Sequence, residues 1–222
     1  MPTTSKPLIY LASASPRRSA LLTQIGVPHR IRAVDIDEQS FAESPRSYVA
    51  RLARIKAQTL WDRLPADERL PVLGADTTVA LSDGQSDGTS ADILGKPRDR
   101  EDGVRMLERL SQQTHQVLTA VALRHDGGCD LRLSVSDVTF RALTVAEIAA
   151  YWETGELIDK AGGYAVQGMA AIFIERITGS YSGIMGLPLY ETAELLQLAG
   201  WRMTSPSAAA DSRIARAGGA QG

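Results

Sequence analysis

The segment 71–81, with the sequence PVLGADTTVAL, constrains the fold of this chain more than any other stretch. Its ends are apolar and β-branched, which is typical of a buried strand, but Asp76, Thr77 and Thr78 stand in its middle. A carboxylate inside a buried strand is costly unless it is paired, bound to a metal or used in chemistry. Gly74 fits such a site, because a strand glycine lets another backbone or a ligand come close. In the alternative interpretation, Asp76 ends the strand and caps a turn.

The bulk properties of the chain exclude several kinds of partner. It has 222 residues, enough for one large or two small domains, and a formal net charge of -2. A charge so near zero creates no global field toward nucleic acid or a membrane, so we expect neither as a partner. The single cysteine, Cys129, excludes an intrachain disulfide and an all-cysteine metal site. No apolar run reaches membrane-spanning length and the N-terminus lacks a secretory h-region, so we expect a cytoplasmic location.

A short strand, a serine-rich turn and a helix predict an anion site near the N-terminus. Residues 7–12 read as an apolar strand, after which Ser15 is the expected N-cap and Pro16 the first helical residue. Arg17 and Arg18 stand in the first helical turn, where the helix dipole disfavours cations. A phosphate would explain them, because serine hydroxyls, free N–H groups and two guanidinium groups would converge on it. In the alternative interpretation, both arginines are solvated.

Candidate acidic and basic site residues follow this segment in the sequence. After a predicted strand at 30–34 come three carboxylates, which form either a solvated loop or oxygen ligands for Mg²⁺: Asp35, Asp37 and Glu38. A helix is predicted from residue 44 to about residue 61, and Lys56 falls within its apolar face. This lysine either extends to the rim of that face or points into an anion pocket. Lys96 is held extended by the proline that follows it, and by itself reads as a surface lysine.

The second half of the chain predicts a hairpin, two helices and a glycine-rich loop. Residues 116–123 and 131–140 alternate as strands do, and Gly127-Gly128 joins them. Thr144 and Glu147 form a capping box for a helix. The sequence also predicts helices that begin after Asp99 and at residue 188, a strand at 170–177 and a small-residue loop at 179–186.

The loop at 159–168 reads DKAGGYAVQG, and its glycines indicate backbone held close to a ligand. Gln167 can present a donor and an acceptor together, as the recognition of a base edge requires. The alternative is an ordinary loop. The polar segment 82–91 is predicted to be mobile, and the Ala/Ser/Gly-rich residues 204–222 form an expected disordered tail after a single domain at 1–203.

Four short motifs together resemble the Maf family of nucleoside triphosphate pyrophosphatases. They are SASPRR from Ser13, GADT from Gly74, GKPR from Gly95 and DKAG from Asp159, in the order that the family has them. The resemblance covers roughly residues 8–200. Within the family, the segment AGGYAVQG is similar to the branch that acts on dTTP and UTP. The branch that handles 7-methyl-GTP typically has Glu in place of the glutamine of this segment.

The resemblance implies a fold and a reaction. The fold is α/β, with a mixed, strongly curved central sheet flanked by helices and a nucleotide cleft between two lobes. The reaction is hydrolysis of a nucleoside triphosphate to the monophosphate and pyrophosphate with a divalent cation, Mg²⁺ or Mn²⁺. A homodimer is also suggested by the resemblance.

The resemblance also implies roles for single residues. Asp76 matches the catalytic proton acceptor, Glu38 the acidic residue near the metal, and Lys56 and Lys96 phosphate-binding residues of the catalytic set. Glu38 and Asp76 are the expected metal ligands. The expected substrate-binding and specificity residues are Ser13, Ser15, Arg17, Arg18, Thr77 and Gln167.

Other functions remain possible at this point. A nucleotide-binding regulator of septum formation could hydrolyse nucleotides only incidentally, and a pyrophosphatase could prefer another base such as 7-methyl-GTP. The presence of Asp76 beside the full basic set favours an enzyme. The histidines, His29, His115 and His125, all fall outside the motifs, which agrees with a carboxylate base. No serine nucleophile elbow (G-x-S-x-G) with a catalytic triad is evident, which argues against acyl chemistry.

Overall fold

A mixed sheet of seven strands forms the centre of the molecule. The computed structural model describes residues 8–39, 43–82 and 91–202. The strands are β1 (Ile9–Leu11), β2 (His29–Ile31), β3 (Val72–Ser82), β4 (Ala91–Leu94), β5 (Thr114–His125), β6 (Gly128–Phe140) and β7 (Ile174–Thr178). Their order is β2-β1-β3-β5-β6-β7, with β4 also paired to β3. Strand β1 is parallel to β2 and β3, and the other pairs are antiparallel, so the predicted mixed sheet is confirmed.

Helices flank this sheet on both faces. They are α1 (Pro16–Gln24), α2 (Pro45–Arg63), α3 (Arg100–Leu110), α4 (Val145–Glu153), α5 (Tyr181–Met185) and α6 (Leu189–Leu198). Alternate residues of β3 point to opposite faces. On one face, Val72 and Ala80 pack with α2 residues such as Ala53 and Leu60. Because α2 covers that face, the even-numbered residues of β3 point toward it.

The opposite face of the sheet carries two separate hydrophobic clusters. One contains Leu73 and Ala75 together with residues of α1 and α6. The other contains Val79 together with residues of α3 and α4. Thr77 lies between these clusters in the sequence of β3, on the same face. The odd-numbered face of β3 is therefore packed at both ends and polar in its middle.

One edge of β3 is open at that same point. Strand β1 pairs with Val72 and Leu73, and β4 pairs with residues 79–82, on this edge. The other edge is paired with β5 from Val72 to Ala80. Among the residues that the structure describes, no strand pairs with residues 75–78 on the β1 and β4 side. The strand therefore presents an uncovered edge at Asp76 and Thr77.

Local capping explains where several helices begin. The Asp99 carboxylate accepts a hydrogen bond from the Asp102 N–H at the start of α3, and Thr144 and Glu147 form the predicted capping box of α4. Ser15 occupies the N-cap position of α1, but its side chain makes no capping bond there. Its own N–H instead bonds to the Ser13 hydroxyl, at 3.2 Å.

Two predicted elements differ from the structure. The strand expected at 170–177 begins only at Ile174, because Met169–Phe173 is a 3₁₀ helix whose first N–H groups bond to Glu156. The loop expected at 179–186 contains α5. The predicted mobile loop lies almost wholly outside the described residues, as does the predicted tail at 204–222. Within the described ranges, no helix combines the length and the apolar character needed to cross a membrane.

Candidate active site

Asp76 lies in the interior of β3, opposite Ala120 of β5, and is only 6% exposed. The interpretation that it ends the strand and caps a turn is therefore wrong. Its Oδ1 accepts a hydrogen bond from Lys56 Nζ at 2.7 Å. Burial raises the pKa of the Asp76 carboxyl above its ordinary value, although the charges of Lys56 and Arg18 act in the opposite direction.

Gly74 explains how Lys56 reaches this carboxylate. A Cβ at position 74 would collide with the carbonyl oxygen of Ala53 and would lie 2.7 Å from the amide nitrogen of Ala57. The backbone of α2 therefore rests directly on β3, and the Lys56 side chain lies over Asp76 with 11% of its surface exposed. The interpretation that Lys56 extends to the rim of the apolar face is wrong. A strand glycine thus brings a buried carboxylate and a helical lysine together.

The same lysine contacts a second carboxylate, since Lys56 Nζ lies 2.7 Å from Glu38 Oε1. Burial raises the pKa of Glu38, but the hydrogen bond and charge of Lys56 outweigh it, and the pKa lies below its ordinary value. Asp37 does not join this site, because its Oδ1 accepts from the Gln39 N–H within the loop. The described residues hold no cluster of three or more potential metal-ligating His, Cys, Asp or Glu side chains. Of the three carboxylates at 35–38, the structure brings only Glu38 to the lining of this site.

Arg18 is held by three contacts. Its guanidinium donates to the Gly186 carbonyl at 2.8 Å, to the Ser13 hydroxyl at 3.1 Å and to Thr77 Oγ1 at 3.3 Å. Burial lowers the pKa of Arg18, and the Asp76 carboxylate partly offsets this effect. Arg17 lies beside it, with Nε 3.4 Å from the Met185 carbonyl. The interpretation of two solvated arginines is wrong for Arg18.

Thr119 takes part in this network, although it is not among the site residues expected from the sequence. Its hydroxyl donates to the Gly183 carbonyl at 2.7 Å, and Thr77 Oγ1 lies 2.9 Å from Thr119 Oγ1. Because a carbonyl can only accept, the single Thr119 proton is used there, and Thr77 must be the donor to Thr119. A polar residue inside the apolar run QVLTAVAL was the one available signal.

A further wall of the site is built from the two motifs around Gly95 and residue 160. The Gly162 N–H donates to the Gly95 carbonyl at 3.0 Å, which joins the motifs directly. Next to this contact, Ala165 and Val166 are buried and Gln167 is exposed. The Gly168 N–H donates to the Ala165 carbonyl at 3.0 Å, so residues 165–168 form a turn that we call the base-side turn.

These walls enclose one cleft of about 670 Å³. We call five ionic residues of its lining the charged wall: Arg17, Arg18, Glu38, Lys56 and Asp76. The lining also contains the ionic residues Lys96, Asp159 and Lys160. Residues 165–167 of the base-side turn also line the cleft, and Lys96 is an exposed residue of the lining. Every site residue expected from the sequence lines this cleft: Ser13, Ser15, Arg17, Arg18, Glu38, Lys56, Asp76, Thr77, Lys96 and Gln167.

Comparison with known proteins identifies the family. A family model described as Maf-like protein matches residues 8–199. The chain belongs to the Maf family. A dTTP/UTP pyrophosphatase of Alkalilimnicola ehrlichii is 53% identical over 195 residues, which cover 86% of this chain and 92% of that relative. A dTTP/UTP pyrophosphatase of Saccharophagus degradans is 50% identical over 190 residues, covering 85% and 87%. One of Colwellia psychrerythraea is 49% identical over 201 residues, covering 89% and 91%.

The arrangement in this Maf chain has the chemistry of a polyanion site. Two guanidinium groups and three ammonium groups, including that of Lys160, line the same cleft as the Asp76, Glu38 and Asp159 carboxylates. Arginine and lysine side chains in such a space stabilise charge that develops on phosphoryl oxygens. A buried carboxylate whose pKa is raised is a candidate proton acceptor.

Proposed function

We propose that this chain is a nucleoside triphosphate pyrophosphatase that hydrolyses dTTP and UTP to the monophosphate and pyrophosphate. The observation that carries the proposal is the buried Asp76–Lys56 pair beside Arg17 and Arg18 in a cleft that also contains Gln167. The names of the relatives, which are about half identical over most of their length, support the same reaction.

The charged wall provides the elements that cleavage of the α–β phosphoanhydride requires. A water molecule attacks the α-phosphorus, and the oxygen that bridges to the β-phosphorus leaves with pyrophosphate. Asp76 orients this water and accepts its proton. Arg17, Arg18 and Lys96 neutralise the phosphate oxygens, and Lys56 holds the Asp76 carboxylate in place. Ser13 and Ser15 contribute hydroxyl and backbone groups at the start of α1, where anions are favoured.

A divalent cation fits the donor set of this cleft. Glu38 and Asp76 face the same space, and both are hard oxygen donors of the kind that Mg²⁺ and Mn²⁺ prefer. Two protein carboxylates suffice, because Mg²⁺ commonly takes its remaining ligands from substrate phosphates and water. When bound, the cation would neutralise phosphate charge, and Glu38 and Asp76 would hold it.

Base selection is assigned to the base-side turn. Gln167 is its exposed residue, and a carboxamide offers an acceptor and two donors. The imide edge of uracil or thymine likewise alternates carbonyl oxygens with an N–H donor. Glutamate would present only acceptors at neutral pH, which explains physically why Gln or Glu at this position would favour different bases.

A turnover panel tests the proposal directly. The protein is incubated with Mg²⁺ or Mn²⁺ and dTTP, UTP, CTP, ATP, GTP or 7-methyl-GTP, and pyrophosphate and orthophosphate are measured separately. We expect pyrophosphate mainly from dTTP and UTP. Turnover chiefly of 7-methyl-GTP would contradict the base assignment, and binding without any turnover would favour a nucleotide-binding regulator. A single catalytic domain at 1–203, a cytoplasmic location and a homodimer stay predictions of the same proposal.

A further inference from the structure

Glu156 makes an unusual set of contacts outside the cleft. Its Oε2 accepts a hydrogen bond from the Met169 N–H at 2.8 Å. Its Oε1 accepts from the Tyr151 hydroxyl at 2.8 Å and from the Ala170 N–H at 3.3 Å. The carboxylate therefore binds the first N–H groups of the 3₁₀ helix Met169–Phe173, which directly follows the base-side turn. A charged acceptor makes such bonds stronger than a neutral one would.

Gly168 is required for this arrangement. A Cβ at position 168 would overlap the Glu156 carboxylate, so only glycine lets the chain pass this close. Gly168 is also the last residue of the base-side turn and follows Gln167 directly. The contact between Glu156 and this part of the backbone therefore fixes the chain at the position next to the exposed glutamine.

The other side of the same turn is anchored independently. Tyr164 is 5% exposed, and its hydroxyl lies 2.8 Å from His115 Nε2. The Tyr164 ring also packs edge-on against Phe140, with centroids 4.9 Å apart. The turn is thus held on one side by the half-buried Glu156 and on the other by the buried Tyr164, while Gln167 lines the cleft.

We propose that Glu156, through its contact with the backbone at Gly168–Ala170, is a positioning residue that sets the orientation of Gln167 for base recognition. The inference rests on the proposed function, in which Gln167 recognises the base. Glu156 is not part of the cleft lining and touches no substrate. Its route to Gln167 is the backbone of the turn, and its charge also acts on Lys160 of the cleft lining. A misplaced carboxamide weakens base recognition while leaving the charged wall intact, so selectivity changes and phosphate binding does not.

The first test compares Glu156→Gln with Glu153→Gln. The first variant replaces one acceptor oxygen by an NH₂ group, which cannot accept from a backbone N–H or the Tyr151 hydroxyl. The second is the matched control, because Glu153 is exposed and makes only a 3.9 Å ion pair with Arg100. We expect the ratio of kcat/KM for dTTP to that for CTP to fall about tenfold in Glu156→Gln. Glu153→Gln keeps the wild-type ratio, and inhibition by inorganic tripolyphosphate stays the same in both variants.

A second test uses steric rescue. Gly168→Ala places a methyl group against the Glu156 carboxylate, so we expect it to lower the same ratio by a comparable factor. In a Glu156→Ala background the colliding atoms are gone, and the added methyl group then changes the ratio by less than about twofold. An equal effect of Gly168→Ala in both backgrounds would show that the close contact between Gly168 and the Glu156 carboxylate does not position the turn. If Glu156→Gln fails to fold, Tyr151→Phe releases one contact of the carboxylate and is expected to lower the ratio in the same direction.

Binding measurements separate this inference from the proposed reaction. Calorimetry with the α,β-imido analogue of dTTP and with inorganic tripolyphosphate needs no turnover. We expect Glu156→Gln to weaken the analogue about tenfold and to leave tripolyphosphate unchanged. That result would support the positioning role even if wild-type protein released no pyrophosphate from dTTP, which would contradict the reaction alone. Unchanged or equally weakened affinity for both ligands would overturn the positioning role.

Discussion

The two walls of the cleft are held together in different ways. In the charged wall, side chains from distant segments contact one another, as Lys56 does with both Asp76 and Glu38. In the base-side turn, the buried Tyr164 ring and hydrogen bonds from backbone N–H groups to the Glu156 carboxylate hold the chain, and Gln167 is its exposed residue. A wall of charges can stabilise phosphate on many nucleotides, but it carries no information about the base. A rigid turn with one exposed carboxamide can provide that selection.

The two walls also differ in the surroundings that they give to a buried ionisable group. Asp76 is surrounded by cations that favour its charged form even though burial raises its pKa. His115 lies behind the base-side turn with one partner, Tyr164, and burial lowers its pKa to about 4. Its Nδ1 has no hydrogen-bond partner in the described part of the chain. The carboxylate therefore has the surroundings expected of the proposed proton acceptor, while the histidine is a neutral packing residue at pH 7.

The largest expected effect comes from removing Asp76, the proposed proton acceptor of the charged wall. Asp76→Asn keeps the shape of the side chain but cannot take a proton, so kcat should fall by about 10²–10⁴-fold. Binding of dTTP should be largely intact, because the basic residues remain. Turnover and calorimetry check this, with Asp137→Asn as the control, since Asp137 lies in β6 outside the cleft lining and bonds to Gln116. Turnover comparable to wild type would remove Asp76 from the mechanism.

The charged wall was easier to predict from sequence than the contacts that hold the base-side turn. Asp76 and Lys56 break an apolar pattern, and such violations are visible in a sequence. Helix caps such as Asp99 and Thr144 were predictable because their partners lie three residues away. Glu156 binds backbone N–H groups more than ten residues further along, and backbone groups have no sequence signature. Its role therefore became visible only in three dimensions.

The same limit explains the elements that were predicted incorrectly. Residues 170–173 are all apolar, with no alternation of polar and apolar side chains, and this short apolar run was interpreted as the start of a strand. Glu156 binds the first N–H groups of this stretch, which favours a 3₁₀ turn over a strand. Lys56 was ambiguous because helical periodicity places it on the inner face but cannot show what lies opposite. The close packing of α2 on β3 at Gly74 places Lys56 against Asp76. Such packing between two backbones can be seen only once the fold is known.

The next expected effect is a pH dependence of folding stability that comes from His115, which lies behind the base-side turn. Because His115 has a pKa of about 4 when folded and about 6.5 when unfolded, the unfolded chain binds the extra proton between these values. The contribution of neutral His115 to the free energy of unfolding is fully present above pH 6.5 and is lost as the pH falls toward 4. We expect a loss of about 2 kcal/mol between pH 7 and pH 5. Urea denaturation of metal-free protein measures it, and His115→Gln should remove that share of the pH dependence. An identical pH dependence in the variant would contradict a buried neutral His115.

A comparable effect on the charged wall should follow from Gly74→Ala. The added methyl group meets the backbone of α2 at Ala53, which has no side-chain freedom with which to give way. We expect a destabilisation of about 1–3 kcal/mol and a lower kcat, because α2 and Lys56 must move away from Asp76. Gly95→Ala is the control for stability, since a Cβ there meets nothing within 4 Å. Equal melting temperatures for both variants would show that α2 does not rest on β3 as described.

The smallest expected effect separates the two walls most directly. Gln167→Glu exchanges a group with donors and an acceptor for one that only accepts, so it should lower kcat/KM for dTTP and UTP by about tenfold. Because Gln167 is exposed and fixes no other element, thermal stability should hardly change. Inhibition by tripolyphosphate should also persist, since the charged wall is untouched. An equal loss for every nucleotide would mean that the added negative charge acts on the phosphates, and that base recognition lies elsewhere in the cleft. A loss confined to the dTTP and UTP reactions would instead show that the walls work independently, one on the phosphates and one on the base.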